Sequence, residues 1–414
     1  MDTKRFFIWL LALMISFSSS AQNLSPEVLQ YVEVSDDKIV LSNANVIDGT
    51  GTPAKENQVV VIENGMIQQV GSYNNMGIPD ADTVIDCSGK TIIPGFVMVH
   101  EHLFYSKSID HQFHTDHMTF TFPKMYLAGG ATTIRTAGTI EGHTDLNVKK
   151  MVDQGNMAGP DIHVTSPHLD GSMYIPQLSY LEDDEDPVNF VNYWAEQGVT
   201  SYKVYMNLKK KDLKAVVDAA HEKDMKVTGH LCGVTYREAA EAGIDNIEHG
   251  FMQASDFISN KEDDKCNPSA IYSSLLKLDK DSEEMESLMK YLIEEDVAIT
   301  ATPAVFEPYT NSEVVHGGGL EALAPGIQNL VLSHYANGVN NDSLSRVLYQ
   351  KNLYWIKKFH DMGGHLIVGT DPTGAGRTLA GYANQHTIEI LNEAGFSLPE
   401  SIEIATRSGA EFLE

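Results

Sequence analysis

The chain has 414 residues, 42% of them hydrophobic and 21% charged, enough for one large domain and a smaller lobe. A net charge of −28 repels phosphate backbones and anionic lipid, which argues against nucleic acid and membrane surfaces as partners. Its three cysteines, Cys87, Cys232 and Cys266, are odd in number and widely spaced; they make neither a Cys-type zinc site nor a disulfide framework and are expected as thiols.

Residues 1–21 read as a signal peptide: Lys4 and Arg5 precede the apolar run 6–17, and Ser19-Ser20-Ala21 supplies small residues for cleavage. The run is shorter than the ~20 residues that span a bilayer, so no stable membrane span is expected after cleavage. A mature chain starting at Gln22, secreted or periplasmic, follows from this. Residues 38–93 (KIVLSNANVIDGTG, NQVVVIENGMIQQVG, DTVIDCSGKTIIPG) set β-branched runs between Gly, Asn and Asp-Gly turns, the pattern of a small β lobe.

From residue 94 to 414 the texture changes. Eight apolar runs, from FVMVH through ATTIRTA, IHVTS, TSYKVYM, MKVTGH, IDNIEH and VAITATP to LIVGTD, alternate with amphipathic stretches. In one of these, 209–224, Leu213, Val216, Val217 and Ala220 share a helical face. Strand–helix alternation predicts an α/β fold, and eight strands predict a (β/α)8 TIM barrel. A doubly wound open sheet competes, weakened because no Gly-rich turn follows the first strand. Residues 259–268 read as a solvated acidic loop, and 307–341 as a long excursion after the seventh strand.

The chemistry-bearing residues fall at strand ends. His100 and His102 are two apart, so they share a strand face. His230 and His249 end the fifth and sixth runs, and Asp371 ends the eighth. Lys203 lies inside the fourth run on the face of Ser201 and Tyr205, where an unpaired ammonium is costly. Each has an ordinary reading alone: core histidine, lysine snorkelling to the rim, Asp capping a turn. Spacing joins them, since His100 to Lys203 is three barrel units of ~31 residues and Lys203 to His230 is one. The six then occupy strands one, four, five, six and eight at one rim. A lysine there that adds CO2 becomes a carbamate, loses its burial problem and offers two oxygens to cations.

Together PGFVMVHEH, SYKVYM, VTGH, DNIEHG and VGTD resemble the binuclear metal-dependent amidohydrolase superfamily, most of all its imidazolonepropionase-like and prolidase-like branch, over residues ~38–414. That resemblance implies two divalent ions, zinc by the histidine ligands. His100, His102 and Asp371 would hold one, His230 and His249 the other, and carboxylated Lys203 would bridge them. It departs from the family where Val-Met-Val and Glu101 stand around the His-x-His. The family also returns after its last helix with strands that complete the β lobe; here the chain ends at Glu414, so a fragment with open lobe edges is expected.

The resemblance implies hydrolysis of an amide or peptide bond, in a small molecule or dipeptide, by a hydroxide held between the ions, with Asp371 carrying the proton. His168, Asp170, Tyr236 and Arg377 stand where they could meet substrate, and an ordinary loop role fits each as well. His111, His114 and His117 repeat every three residues; a polar loop and a further metal site both fit. Deamination or opening of a cyclic amide or lactone is the alternative reaction, and a non-catalytic secreted binding protein the alternative class. Homo-oligomerisation stays open. HExxH, GxSxG and P-loop patterns are absent; Val84 stands where the last needs glycine.

Overall fold

The computed structural model describes residues 24–109, 112–172, 179–181, 186–310, 319–337, 343–373 and 377–414. The signal-peptide reading and His111 lie outside these. Among the described residues no helix is long and apolar enough to cross a membrane.

The amino-terminal lobe is a sheet of β1 (Lys38–Val46), β2 (Lys55–Glu63), β3 (Met66–Ser72), β4 (Thr83–Asp86) and β5 (Thr91–Ile92). β2 pairs antiparallel with β1 and β3, while β4 and β5 run parallel to β1. Alternation buries Val59 and Val61 of β2 with Val40 of β1 on one face, and Val60 with Ala44 and Val46 on the other. The outer strand β3 leaves Ile67 two-thirds exposed.

The larger region opens with β6 (Phe96–Glu101), followed by the hairpin β7 (Phe104–Ile109) and β8 (Gln112–His117). Then come β9 (Ala131–Thr136), β10 (Asp161–His163), β11 (Leu169–Asp170), β12 (Ser179–Tyr180), β13 (Ser201–Val204), β14 (Lys226–Gly229), β15 (Asn246–Glu248), β16 (Ala298–Ala301) and β17 (Leu366–Val368). The result is an α/β fold whose parallel ladders fall into two sheets, β10-β9-β6 and β12-β11-β13-β14-β15-β16-β17. Beyond β10, Thr165 bridges Ser201 in parallel, and Thr200 N donates to Val164 O at 2.8 Å. Beyond β17, Asp371 N donates to His100 O at 2.9 Å. Regular pairing therefore divides the expected ring of eight, because the third and eighth strands are only three residues long and continue as irregular chain.

Helices cover the strands as their periodicity dictates. The helix Lys210–His221 buries Leu213, Val216, Val217 and Ala220 completely. Ser282 caps Glu283–Glu294 by accepting from Met285 N. At the start of β14, Lys226 Nζ donates to Phe412 O, and Phe412 packs on Val97, Val99, Ala298 and Ile367.

Three expectations change. The excursion 307–341 contains a helix, Pro325–Asn337. His114 and His117 lie on a paired strand, not in a loop; three apart, they face opposite sides, so they cannot share an ion. Cys232 and Cys266 form a disulfide, 34 residues apart, that ties the segment after β14 to the acidic loop; Cys87 is a buried thiol. Their adjacency comes from that loop folding back: Lys261 Nζ donates to Gly233 O at 2.6 Å, and Asp264 accepts from Lys210 N at 2.7 Å.

Thiol titration of the unreduced, denatured chain is expected to count one thiol. Converting Cys232 and Cys266 to serine lowers unfolding free energy by about 3–4 kcal/mol, from the loop the bond closes, read from the denaturant midpoint. Three thiols, or unchanged stability, would contradict the bridge.

Candidate metal centre

Parallel strands point their carboxyl ends the same way, and side chains leaving those ends converge. His100 is on β6 and His102 one residue past it; Lys203 is on β13; His230, His249 and Asp371 follow β14, β15 and β17. All six line one cavity of about 200 Å³, with His168, Phe104, Ser106, Ala137, Ile140, Tyr205 and Thr373 completing the wall.

Two of the six depend on backbone that ordinary strands do not adopt. His249 has φ 70° and Asp371 φ 51°, both left-handed, a conformation costing of order 1–3 kcal/mol outside glycine. The turn at His249 matters to its neighbour. Simple alternation would send Glu248 and His249 to opposite faces, yet both point inward.

Hydrogen bonds fix the ring nitrogens. His102 sits between two acceptors, with Gly138 O 3.2 Å from Nδ1 and Asp371 Oδ1 3.1 Å from Nε2; a proton kept on Nδ1 would leave the Nε2 lone pair to a cation. His168 donates from Nδ1 to Thr139 O at 3.1 Å. His100 Nδ1 donates to Glu248 Oε2 at 2.5 Å, leaving Nε2 3.8 Å from Asp371 Oδ1. His249 Nδ1 meets Thr302 Oγ1 at 2.8 Å, and its Nε2 lies 3.0 Å from His230 Nδ1.

Burial sets the charge states. It pushes His230 down to about 3 and lowers His100, His168 and His249 as well, so these rings are neutral and able to ligate. The same desolvation lowers Lys203. Burial pulls Asp371 upward, but the His100 and His102 rings beside it hold it well below the usual carboxylate range.

The donor set suits divalent cations. A tetrahedral ion with ligands at ~2.0–2.2 Å spaces its ligand atoms roughly 3.3–3.6 Å apart. His102 Nε2 and Asp371 Oδ1 are 3.1 Å apart, His100 Nε2 and Asp371 Oδ1 3.8 Å, and His230 Nδ1 and His249 Nε2 3.0 Å. His100, His102 and Asp371 each offer an atom within 4.8 Å of the others. Lys203 Nζ, buried beside them, has no hydrogen-bond partner; Glu248 Oε1 lies 3.4 Å away but poorly aligned.

The substrate-side expectations fare unequally. His168 lines the cavity. Tyr236 does not: it opens the helix Tyr236–Ala242, its ring is fully buried, and its hydroxyl donates to Gly250 O at 2.9 Å. Asp170 is held away by Asn207, whose backbone N–H donates to it at 2.6 Å. Arg377 stacks over Tyr309 at 4.5 Å, outside the cavity wall. Glu101 faces the other side of β6, accepts from Thr370 N and Asn384 Nδ2, and is pushed up to about 8 by burial. Glu248 escaped the sequence reading, although Asn246 and Glu248, two apart in an apolar strand, are an i, i+2 polar signal.

A model of the amidohydrolase family matches residues 91–414. A protein named "probable imidazolonepropionase" of Dictyostelium discoideum is 22% identical over 270 residues, 50% of this chain and 60% of its own. The enamidase of Eubacterium barkeri is 23% identical over 209 residues, 47% of this chain and 50% of its own. The chain thus matches about half to three-fifths of these relatives' length. Among solved structures, a Xaa-Pro dipeptidase with methionine in its active site has a TM-score of 0.62 at 17% identity, covering 91% of this chain and 88% of that one. A prolidase complexed with N-methylphosphonate-L-proline has a TM-score of 0.63 at 18% identity, covering 91% and 87%. These likenesses show a common fold.

Gly369 lets β17 reach β6: a Cβ there would lie 2.4 Å from His100 N. Gly369→Ala is therefore expected to cost about 1–3 kcal/mol by overpacking, measured by denaturant unfolding. Wild-type stability in this variant would mean that the two strands are not in such contact.

Proposed function

The chain belongs to the amidohydrolase family, and on that premise we propose a metal-dependent hydrolase that cleaves an amide or peptide bond in a small substrate such as a dipeptide. The observation that carries it is the convergence of His100, His102, Lys203, His230, His249 and Asp371 on one cavity. The bridge at Thr165 and the Asp371 N–His100 O bond support reading the two sheets as one eight-stranded barrel with this cavity at its rim.

In this reading His100, His102 and Asp371 hold one divalent ion and His230 and His249 a second, zinc by ligand type. Lys203 is suited to carboxylation, because a buried lysine of lowered pKa offers the neutral amine that adds CO2, losing a proton as the carbamate forms. When bound, the ions polarise the scissile carbonyl and lower the pKa of water toward ~7. Asp371 is placed to take the proton of the attacking water and return it to the leaving amine. His168, with its proton committed to Thr139 O, turns an accepting Nε2 toward the substrate.

The peptide reading draws support from structures named prolidase and Xaa-Pro dipeptidase. Hydrolysis of a cyclic amide or lactone is the second reading, supported by relatives named imidazolonepropionase and enamidase. The 1–21 signal and the Cys232–Cys266 bond together favour an oxidising compartment, secreted or periplasmic.

Zinc-loaded protein is expected to hydrolyse at least one member of a dipeptide panel assayed beside lactones and cyclic amides. Chelation should reduce turnover at least about 100-fold, with recovery on zinc return, the scale of losing a preorganised electrostatic group. Lys203→Ala should lose one or both ions. Turnover indifferent to chelation, or full metal content in the Lys203 variant, would contradict the mechanism or the bridge respectively.

A further inference from the structure

Beneath the cavity sits a carboxylate that lies against two of the site's side chains, His100 and Lys203. Glu248 is fully buried, and its two oxygens are divided between tasks. Oε2 accepts from His100 Nδ1 at 2.5 Å. Oε1 accepts from Arg135 Nη2 at 2.8 Å and from Thr228 Oγ1, and lies 3.4 Å from Lys203 Nζ.

Arg135 is equally enclosed and is itself fixed: Nε donates to Val99 O at 2.8 Å and Nη2 to Asn246 Oδ1 at 3.3 Å. Asn246 in turn accepts from Thr228 and Thr300 and donates to Ala298 O. Five strands, β6, β9, β14, β15 and β16, thus clamp one carboxylate in place.

Building on the metal-centre reading above, we propose that Glu248 is a positioning residue that fixes the tautomer and ring plane of His100. A carboxylate on one imidazole nitrogen holds the proton there and leaves the other nitrogen a better donor to a cation. Here that other nitrogen, Nε2, is the one facing Asp371. Its other oxygen, Oε1, is turned away from His100 and held by Arg135 and Thr228. Arg135 neutralises the carboxylate, which lets it be buried without competing for the cations.

The rival is a plain structural ion pair between Glu248 and Arg135. Glu248→Asp separates the two roles, because it keeps the charge beside Arg135 but withdraws it by one methylene from His100. Zinc affinity is measured by competition with a chromophoric chelator on wild type and variant, with the metal-free melting temperature alongside. The positioning role predicts zinc binding about 10- to 100-fold weaker in the variant, the range found for lost outer partners of metal-bound histidines. A variant that binds zinc as tightly as wild type overturns it. If wild type itself binds no zinc, the metal reading fails and this inference with it.

Should the variant not fold, nitrogen NMR of ¹⁵N-histidine-labelled wild type decides. His100 protonated on Nδ1 and bare on Nε2 supports the assignment, and the opposite tautomer refutes it.

Discussion

Drawing ionisable groups out of water is the constraint around which this fold is organised. Seven such side chains, His100, His102, His168, Lys203, His230, His249 and Asp371, face one small cavity, and five of them are almost wholly buried. An unpaired charge in such surroundings costs several kcal/mol, so each must be neutral, paired or coordinated. Desolvation keeps His100, His168, His230 and His249 neutral, and their lone pairs are then available to a cation. Asp371 stays ionised among them. Neutral donors concentrated around a carboxylate make a donor set suited to a divalent cation.

Backbone geometry delivers the groups. Short parallel strands end where the cavity begins, and the last turn is not left to chance. Left-handed φ at His249 and Asp371 bends these two side chains inward, while Gly369 brings β17 against His100 closely enough for Asp371 N to bond His100 O. Such strain persists because the surrounding sheet holds it.

How far this could be seen in the sequence depends on how local each cause is. His100 and His102 were legible because strand alternation is local, and His230, His249 and Asp371 because apolar runs ended on them. Lys203 stood out because lysine seldom sits inside a strand. The Cys232–Cys266 pairing was hidden, since it comes from a loop folding back across 34 residues. Glu248 was hidden by the same alternation that revealed the histidines, because the reversal of φ at the next residue cannot be read from composition. Tyr236 misled for the opposite reason: its place after a strand put it near the rim, while an apolar ring at the first turn of a helix turned into the core. The hairpin carrying Phe104 and Ser106 was missed because its strands carry too many polar residues to look buried.

The claim on which the rest stands is that these converging side chains hold divalent cations in that cavity. Anomalous diffraction at the zinc edge from zinc-soaked crystals addresses it without reference to any substrate. Two peaks are predicted inside the cavity, about 3.5–4 Å apart, one against His100, His102 and Asp371 and one against His230 and His249. An empty cavity, or zinc bound only elsewhere on the molecule, would contradict the account.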